Sequence, residues 1–464
     1  MTAPLRDGHH LSLYSHIDAR AAAHDLGLRH DHNMTLWRKT GRRIELLRHW
    51  EFERFSGVKH HPLSFADAGA AKAFIAARLA ETGLSPGDIQ TFAGTPGLDD
   101  PRDVSADLPD PDLPYHNLCH LHSSMLLDTE TFARDTILSL ALDGAPDNVL
   151  DPEVHAKPHY LGALSHEGEA TIFPVASPAP LWAMLHQRYA MTEGALMALG
   201  SAASIRPLIA PPAPPAVFGV ADQGAAGDWF DRLTDRIDAM VPSDEGVLFR
   251  DPDPRFGWRD NCIAMAVQLV HDASLRGVER TVDAALQRFG LSGPQVHLSM
   301  SGGYALNCPA NSHLMRRYGF KSFIAPPAVN DGGMAIGIGL HHFRARMGRF
   351  DFRFPGASCG APDDGVARVR AHPAWRDFIA EDTAADPDRI AADIARGPVL
   401  WFDGGAEAGP RALGARSILA DPRSMAARVR LNEVKAREWW RPVAPIVLGH
   451  AVQDWFEDSA ASPF

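Results

Sequence analysis

The sequence predicts an α/β protein. Two observations carry that reading. Apolar runs of strand length alternate with longer stretches of helical periodicity, and three of those runs end in a turn bearing aspartate or glycine. The runs are TILSLALDG at 136–144, QVHLSMSGG at 295–303 and GPVLWFDGG at 397–405. Each reads as a buried strand, and the recurrence of the design points to two related lobes.

The other elements follow in order. SFADAGAAKAFIAARLAETG at 64–83 has apolar residues at helical spacing and a glycine stop. PYHNLCHLHSS at 114–124 places His116 and His120 one helical turn apart. The stretch 260–290 reads as one long helix or two short ones. IAPPAPPAV at 209–217 cannot be helix interior and marks an inserted loop. FRFPGASCGAPDDG at 352–365 reads as a domain linker. The expected organisation is a domain over 1–352 with a break near residue 135, a linker over 353–365 and a second domain over 366–464.

Composition narrows the function classes. The chain has 464 residues, 45% hydrophobic and 22% charged, which is ordinary for globular proteins. Its length suggests about three domain-sized units. A net charge of −12 with no dense Lys/Arg block argues against nonspecific nucleic-acid binding. Cys119, Cys262, Cys308 and Cys359 are widely spaced, so no disulfide framework is expected, and a reducing compartment is. The opening residues lack a signal-peptide core and no run approaches a membrane span. A cytoplasmic protein without membrane partners is the expectation.

Several clusters could carry chemistry. On one helix face, His116 and His120 suit two imidazoles on one metal ion, with Asp143 or Asp331 as a third ligand. With 23 histidines in the chain, such a spacing also arises by chance. His122, His60 and His61 read as surface or packing residues. Gly302 and Gly303 follow an apolar strand and precede Asn307 and Asn311, as suits backbone approach to a phosphate. A turn that needs glycine for geometry alone would look the same. VNDGGMAIGIG at 329–339 is a second glycine-rich turn and favours a nucleotide cleft between two lobes. His30, Asp31, Glu53, Arg54 and Lys59 could bind a polar substrate or form surface ion pairs of little worth. Arg411, Arg416 and Arg441, set among glycines and prolines, suit a phosphate or carboxylate, which the planar guanidinium binds in pairs of charge-assisted bonds.

These segments resemble, in order, the motifs of the O-carbamoyltransferases of antibiotic and nodulation-factor biosynthesis. The most specific is GPRALGARSILADPR followed by RPVAPIVL. HDHNMTLW, FERFSGVKHH, YHNLCHLHSS, LALDGAPDN, TEGALMALG, SGGYALNCPAN and PPAVNDGGMAIG match looser ones. The resemblance implies a two-lobed, actin-like ATPase (Kae1-like) domain followed by a YrdC-like α/β domain. It implies that ATP and carbamoyl phosphate give carbamoyl adenylate, and that the carbamoyl group then passes to a hydroxyl of a small natural-product acceptor. On the same ground, His116, His120 and Asp331 would hold a divalent metal, iron(II), with magnesium accompanying ATP. Asp143, Gly144, Gly302, Gly303 and Asn307 would contact ATP and its phosphates. Arg411, Arg416 and Arg441 would hold carbamoyl phosphate. His30, Asp31 and Lys59 would lie on the acceptor side, with His30 or Asp31 as base.

The sequence departs from the family pattern in four places. Asn117 stands where a second histidine is usual, Ala195 replaces a lysine and Gly405 replaces an arginine. The chain ends at Phe464, before an LNTSFN-type motif. An incomplete second domain is therefore expected, either because the sequence is cut short or because another chain completes it. The alternative is a nucleotide- and metal-binding subunit with an incomplete donor site.

Overall fold

The computed structural model describes residues 5–362 and 369–457. They fall into two compact units. One holds the residues up to Pro355 together with Ala408–Pro410; the other holds Gly356–Glu407 and the residues from Arg411.

The first unit contains two mixed sheets. Strands β1 (Gly8–Tyr14), β2 (Asn33–Thr40), β3 (Arg43–Glu51) and β4 (Ile89–Ala93) form a sheet of order β3-β2-β1-β4. The first three make an antiparallel meander, and β4 lies parallel to β1. Strands β5 (Ile137–Ala141), β6 (Leu161–His166) and β7 (Glu169–Pro174) repeat that meander. A small ribbon of β8 (Arg206–Pro207) and β9 (Phe249–Arg250) intervenes. Then β10 (His297–Ser301) lies parallel to β5, and β11 (Phe323–Ile324) parallel to β10. The second sheet has the order β11-β10-β5-β6-β7. Both sheets thus share one plan, a meander with a parallel strand added beside its first strand. This is the two-lobed arrangement implied by the actin-like resemblance.

Local chemistry explains how these elements meet. All five residues of β5 are buried, as befits a central strand covered on both faces. β5 and β10 pair from Ile137↔His297 to Ala141↔Ser301 and so end level, setting Leu142–Asp143 beside Gly302–Gly303. Gly302 has φ +84°, and a Cβ there would lie 2.5 Å from the Leu142 carbonyl oxygen. Only glycine permits that approach. The helix Tyr115–Met125 is buried along its whole length. It packs on the helix Met334–Met347, where a Cβ at Gly337 would stand 2.2 Å from the Cys119 carbonyl oxygen. The stretch 260–290 resolves as a single helix, Trp258–Phe289, ended by Gly290 in the left-handed conformation. The helix over 64–83 is confined to Ala68–Ala80 and is capped by the Asp67 carboxylate. No helix or strand forms over 209–217.

The second unit contains β12 (Val399–Phe402) paired antiparallel with β13 (Arg416–Leu419), and helices Pro387–Arg396 and Met425–Val434. Here one expectation fails. The run at 397–405 is not a buried strand, since Leu400 is 69% and Phe402 58% exposed. A two-stranded ribbon has no neighbouring strands to bury it on both faces. The end of the expected linker and the chain's last residues, 363–368 and 458–464, lie outside the described residues. No helix among the described residues is long and apolar enough to cross a membrane.

Candidate metal centre

Four buried side chains converge in the first unit. His116 and His120, one turn apart on a buried helix, have ring centroids 4.9 Å apart. Asp331 enters from the turn that starts the helix Met334–Met347. Its Oδ1 lies 3.3 Å from His120 Nε2 and 3.5 Å from His116 Nε2. Asp143 follows β5, with its Oδ2 3.4 Å from His116 Nε2 and its Oδ1 accepting from the Gly303 amide at 2.8 Å. One potential ligand atom from each residue lies within 4.8 Å of the others. The sequence left Asp143 and Asp331 as alternatives; the structure brings both to the two histidines.

Further residues, unforeseen in the sequence, hold this group in place. The Asp147 carboxylate accepts from His116 Nδ1 at 2.8 Å. That bond keeps the proton on Nδ1 and turns the Nε2 lone pair into the cluster, where Nε2 is buried without a hydrogen-bond partner. Arg29, only 1% exposed, donates from Nε to the other Asp147 oxygen at 2.9 Å. Its Nη1 donates to the carbonyls of Ser15 and Gly94, each at 2.8 Å. The Tyr14 hydroxyl lies 2.9 Å from Asp331 Oδ2 and 3.0 Å from Asp147 Oδ2, so one proton serves two carboxylates.

The electrostatics call for positive charge. Burial would raise the Asp331 and Asp147 pKa values, yet His116, and for Asp147 also Arg29, hold both well below the usual carboxylate range. Burial likewise disfavours the His116 imidazolium, but Asp331, Asp143 and Asp147 raise its pKa well above the ordinary value. Three buried carboxylates face one buried guanidinium. The two negative charges left over need imidazolium protons or a divalent cation. With two imidazoles, two carboxylates and an orphaned Nε2, the residues fit a divalent metal ion.

At the rim, His30 donates from Nδ1 to Asp31 at 3.0 Å and brings Nε2 to 3.9 Å from Asp331 Oδ2. His60 donates to the other Asp31 oxygen at 2.9 Å, and so joins the site rather than only the surface. Asp31 and His60 have φ of 54° and 60°, an unusual backbone for non-glycine residues. The His30 pKa is pushed up to about 9, chiefly by its bond to Asp31 and then by Asp331. At neutral pH it is therefore a cation, while the Asp31 carboxyl, despite burial, is held low by His30 and His60. Lys59 is exposed and paired with Glu53 at 3.1 Å. Glu53 in turn accepts from the His60 amide at 3.0 Å.

The remaining expected residues have nearer partners. Asn307 accepts from the Ala310 amide at 3.2 Å, capping the helix Cys308–Tyr318, and its Nδ2 lies 3.4 Å from His271 Nδ1. The Gly144 carbonyl accepts from the Tyr160 hydroxyl at 2.8 Å. In the second unit, Arg416 donates to the carbonyls of Asp403 and Gly404 at 3.1 and 3.0 Å, bracing its own ribbon. Arg441 lies 3.6 Å from Glu438, and Arg411 is exposed. Unforeseen here is Glu407, whose Oε1 accepts from the amides of Leu413, Ala415 and Arg416 at 2.9, 2.7 and 2.9 Å. The arginine-bearing loop is folded around that carboxylate.

A mixed α/β protein with a buried two-histidine, two-aspartate centre between paired lobes is the class defined by fold and site. Comparison with known sequences adds a family likeness. Residues 276–340 match the family described as carbamoyltransferase N-terminus, and 391–464 match carbamoyltransferase C-terminus. Over these two regions the chain is similar to the carbamoyltransferases. Nodulation protein U of Rhizobium tropici is 37% identical over 186 residues, 40% of this chain and 31% of that protein. The 3'-hydroxymethylcephem-O-carbamoyltransferase of Streptomyces clavuligerus is 33% identical over 235 residues, 46% of this chain and 42% of that protein. The aligned regions thus span well under half the length of these relatives. Among solved structures, an activator of 2-hydroxyisocaproyl-CoA dehydratase from Clostridium difficile with bound ADPNP aligns at 11% identity. Its TM-score is 0.37, with 73% of this chain and 95% of that one covered, too low to equate the two.

Proposed function

We propose that this chain serves an ATP-dependent O-carbamoyltransferase acting on a hydroxyl of a small molecule. The observation that carries the reading is the buried centre of His116, His120, Asp143 and Asp331 in a chain that matches both carbamoyltransferase family models. Water would first release phosphate from carbamoyl phosphate to leave carbamate, whose oxygen would attack the ATP α-phosphorus to give carbamoyl adenylate and expel pyrophosphate. The acceptor oxygen then attacks the carbonyl carbon and AMP leaves.

The residues divide this work. Arg411, Arg416 and Arg441 would attract the anionic donor. Gly302, Gly303 and Asn307 would line the nucleotide side, with Asp143 and Gly144 at the phosphates. His116, His120, Asp331 and Asp143 would hold a divalent metal, which supplies Lewis acidity toward carbonyl or phosphoryl oxygens. Iron(II) there, and magnesium with ATP, are the assignments proposed. Of the two candidate bases, the ionised Asp31 suits proton removal from the acceptor at neutral pH. His30, held protonated, suits attraction of the anionic leaving group.

Two positions favour a second reading, a nucleotide- and metal-binding subunit whose donor chemistry needs another chain. A Cβ at Gly405 would lie 2.6 Å from the Ser358 carbonyl oxygen, so the backbone leaves no room for the arginine usual there. Ala195 is 1% exposed and offers no space for a lysine. The test is release of AMP and pyrophosphate by this chain given ATP, a divalent metal and carbamoyl phosphate. Release that depends on carbamoyl phosphate and disappears in Arg411→Ala supports the complete enzyme. Release only after a partner chain is added supports the subunit.

A further inference from the structure

A cavity of about 300 Å³, lined by none of the four residues of the candidate metal centre, opens beside the second half of the long helix Trp258–Phe289. Phe173, Leu181, Pro214 and Val217 wall one side; Ala273 and Ala284 lie on the helix side. Its volume is that of about ten water molecules in the liquid, at the lower end of small-molecule pockets. Gly277 also lines it, and a Cβ added there would meet no atom within 4 Å. A glycine inside a helix is destabilising relative to alanine. Here its missing side chain enlarges the cavity rather than relieving a clash.

Two arginines make this apolar cavity more than a packing gap. Arg280 and Arg288 both line it and are exposed, so they stand at its mouth. Arg288 lies over the rings of Phe173 and Phe289, 5.2 Å from each centroid, and has no carboxylate partner among the described residues. Arg280 likewise has none. The neighbouring Asp283 instead accepts from the Tyr318 hydroxyl at 2.8 Å. A larger cavity of about 730 Å³ contrasts with this one. It is also lined by arginines, but Arg42, Arg43, Arg134, Arg349 and Arg353 each face a carboxylate, so little charge is left for a ligand.

We propose that the smaller cavity binds a ligand with an apolar body and one anionic head, the head held by Arg280 and Arg288. The cavity adjoins the candidate metal centre through Ser177, whose hydroxyl donates to the Asp143 carbonyl at 3.1 Å, and the proposal does not depend on the carbamoyl-transfer reading. The ligand class follows from the complementarity: apolar walls exclude a free sugar or nucleotide, and two unspent guanidiniums select an anion over an alcohol.

Calorimetric titration of the whole chain with octanoate, below its micelle-forming concentration, tests the site. Saturable binding of one octanoate per chain is expected, with 1-octanol at least about tenfold weaker, as loss of a charge-assisted contact requires. Arg280→Ala combined with Arg288→Ala should weaken octanoate by about tenfold or more. Gly277→Leu should remove binding by filling the cavity while the thermal midpoint without ligand is unchanged or higher. Equal affinity for octanol and octanoate overturns the proposal, as does undiminished octanoate binding in Gly277→Leu. Absence of saturable binding by the unmodified chain overturns it as well.

Discussion

The candidate metal centre of the first unit and the arginine ribbon of the second hold their charges by opposite means. In the centre, buried side chains answer to one another: Arg29 to Asp147, Asp147 to His116, and Tyr14 to Asp331. In the ribbon, the buried carboxylate of Glu407 accepts from three backbone amides, while Arg416 binds carbonyls and Arg411 is exposed. The first arrangement fixes side chains at a point where a cation can sit. The second fixes a backbone path and leaves guanidiniums at the surface. Substitutions should therefore fail differently in the two regions.

The largest effect is expected from the ligands themselves. His116→Ala and Asp331→Ala each remove one of four donors and should lower divalent-metal affinity by more than about a hundredfold, beyond the usual effect of an outer partner. Metal content after dialysis against a weak chelator measures this. Full occupancy in either variant would mean that the cluster is only a charge network. Next come the outer partners. Asp147→Asn should cost about 10–100-fold in metal affinity, because it weakens the hold on the His116 tautomer. Arg29→Met should also destabilise the fold by about 3–5 kcal/mol, since it strands a buried carboxylate. A denaturation midpoint unchanged in Arg29→Met would show that Asp147 finds a proton or water instead.

These outer partners also mark the limit of what the sequence discloses. His116 and His120 are visible because a helix places residues four apart on one face. Asp143 and Asp331 are visible because each follows an apolar run at a turn. Tyr14, Arg29 and Asp147 come from three separated segments, and only the packing of β1 against the Asp143–Asp147 loop unites them. Asp147 had a faint signal, four residues beyond Asp143 in DGAPD. The apolar run at 399–402 misled for a related reason: its composition cannot reveal how many strands will flank it.

A smaller effect concerns pH. His49 is buried between Thr35 and the Gly332 carbonyl, each at 2.9 Å. Its Nε2–H donates to that carbonyl, so Nδ1 accepts from the Thr35 hydroxyl, and this pair of bonds needs the neutral ring. Burial lowers its pKa to about 4, below the ordinary value of 6.5. A depressed folded-state pKa contributes stability above pH 6.5 that is lost as pH falls toward 4. The loss should approach about 3 kcal/mol at its fullest. Urea unfolding at pH 7 and pH 5 should show a smaller difference in His49→Gln than in the unmodified chain. An identical difference would assign the acid sensitivity to other groups.

The smallest global effect should come from Glu407→Gln, and it sharpens the contrast best. The carboxylate accepts three amide hydrogens through one oxygen, and those amides hold its pKa below the ordinary value despite burial. Glutamine keeps an acceptor oxygen but loses the charge, so each bond falls from the charge-assisted range toward the neutral one, a loss of about 1 kcal/mol apiece. The loss is local because the partners are consecutive parts of one loop. Hydrogen exchange at Leu413, Ala415 and Arg416 should accelerate markedly, whereas divalent-metal affinity should stay unchanged. If metal affinity fell along with the loop amides, the two regions would be energetically coupled, and the separation of their charge networks would not hold. If exchange were unaltered, the loop would owe its path to its glycines and Pro410 rather than to Glu407.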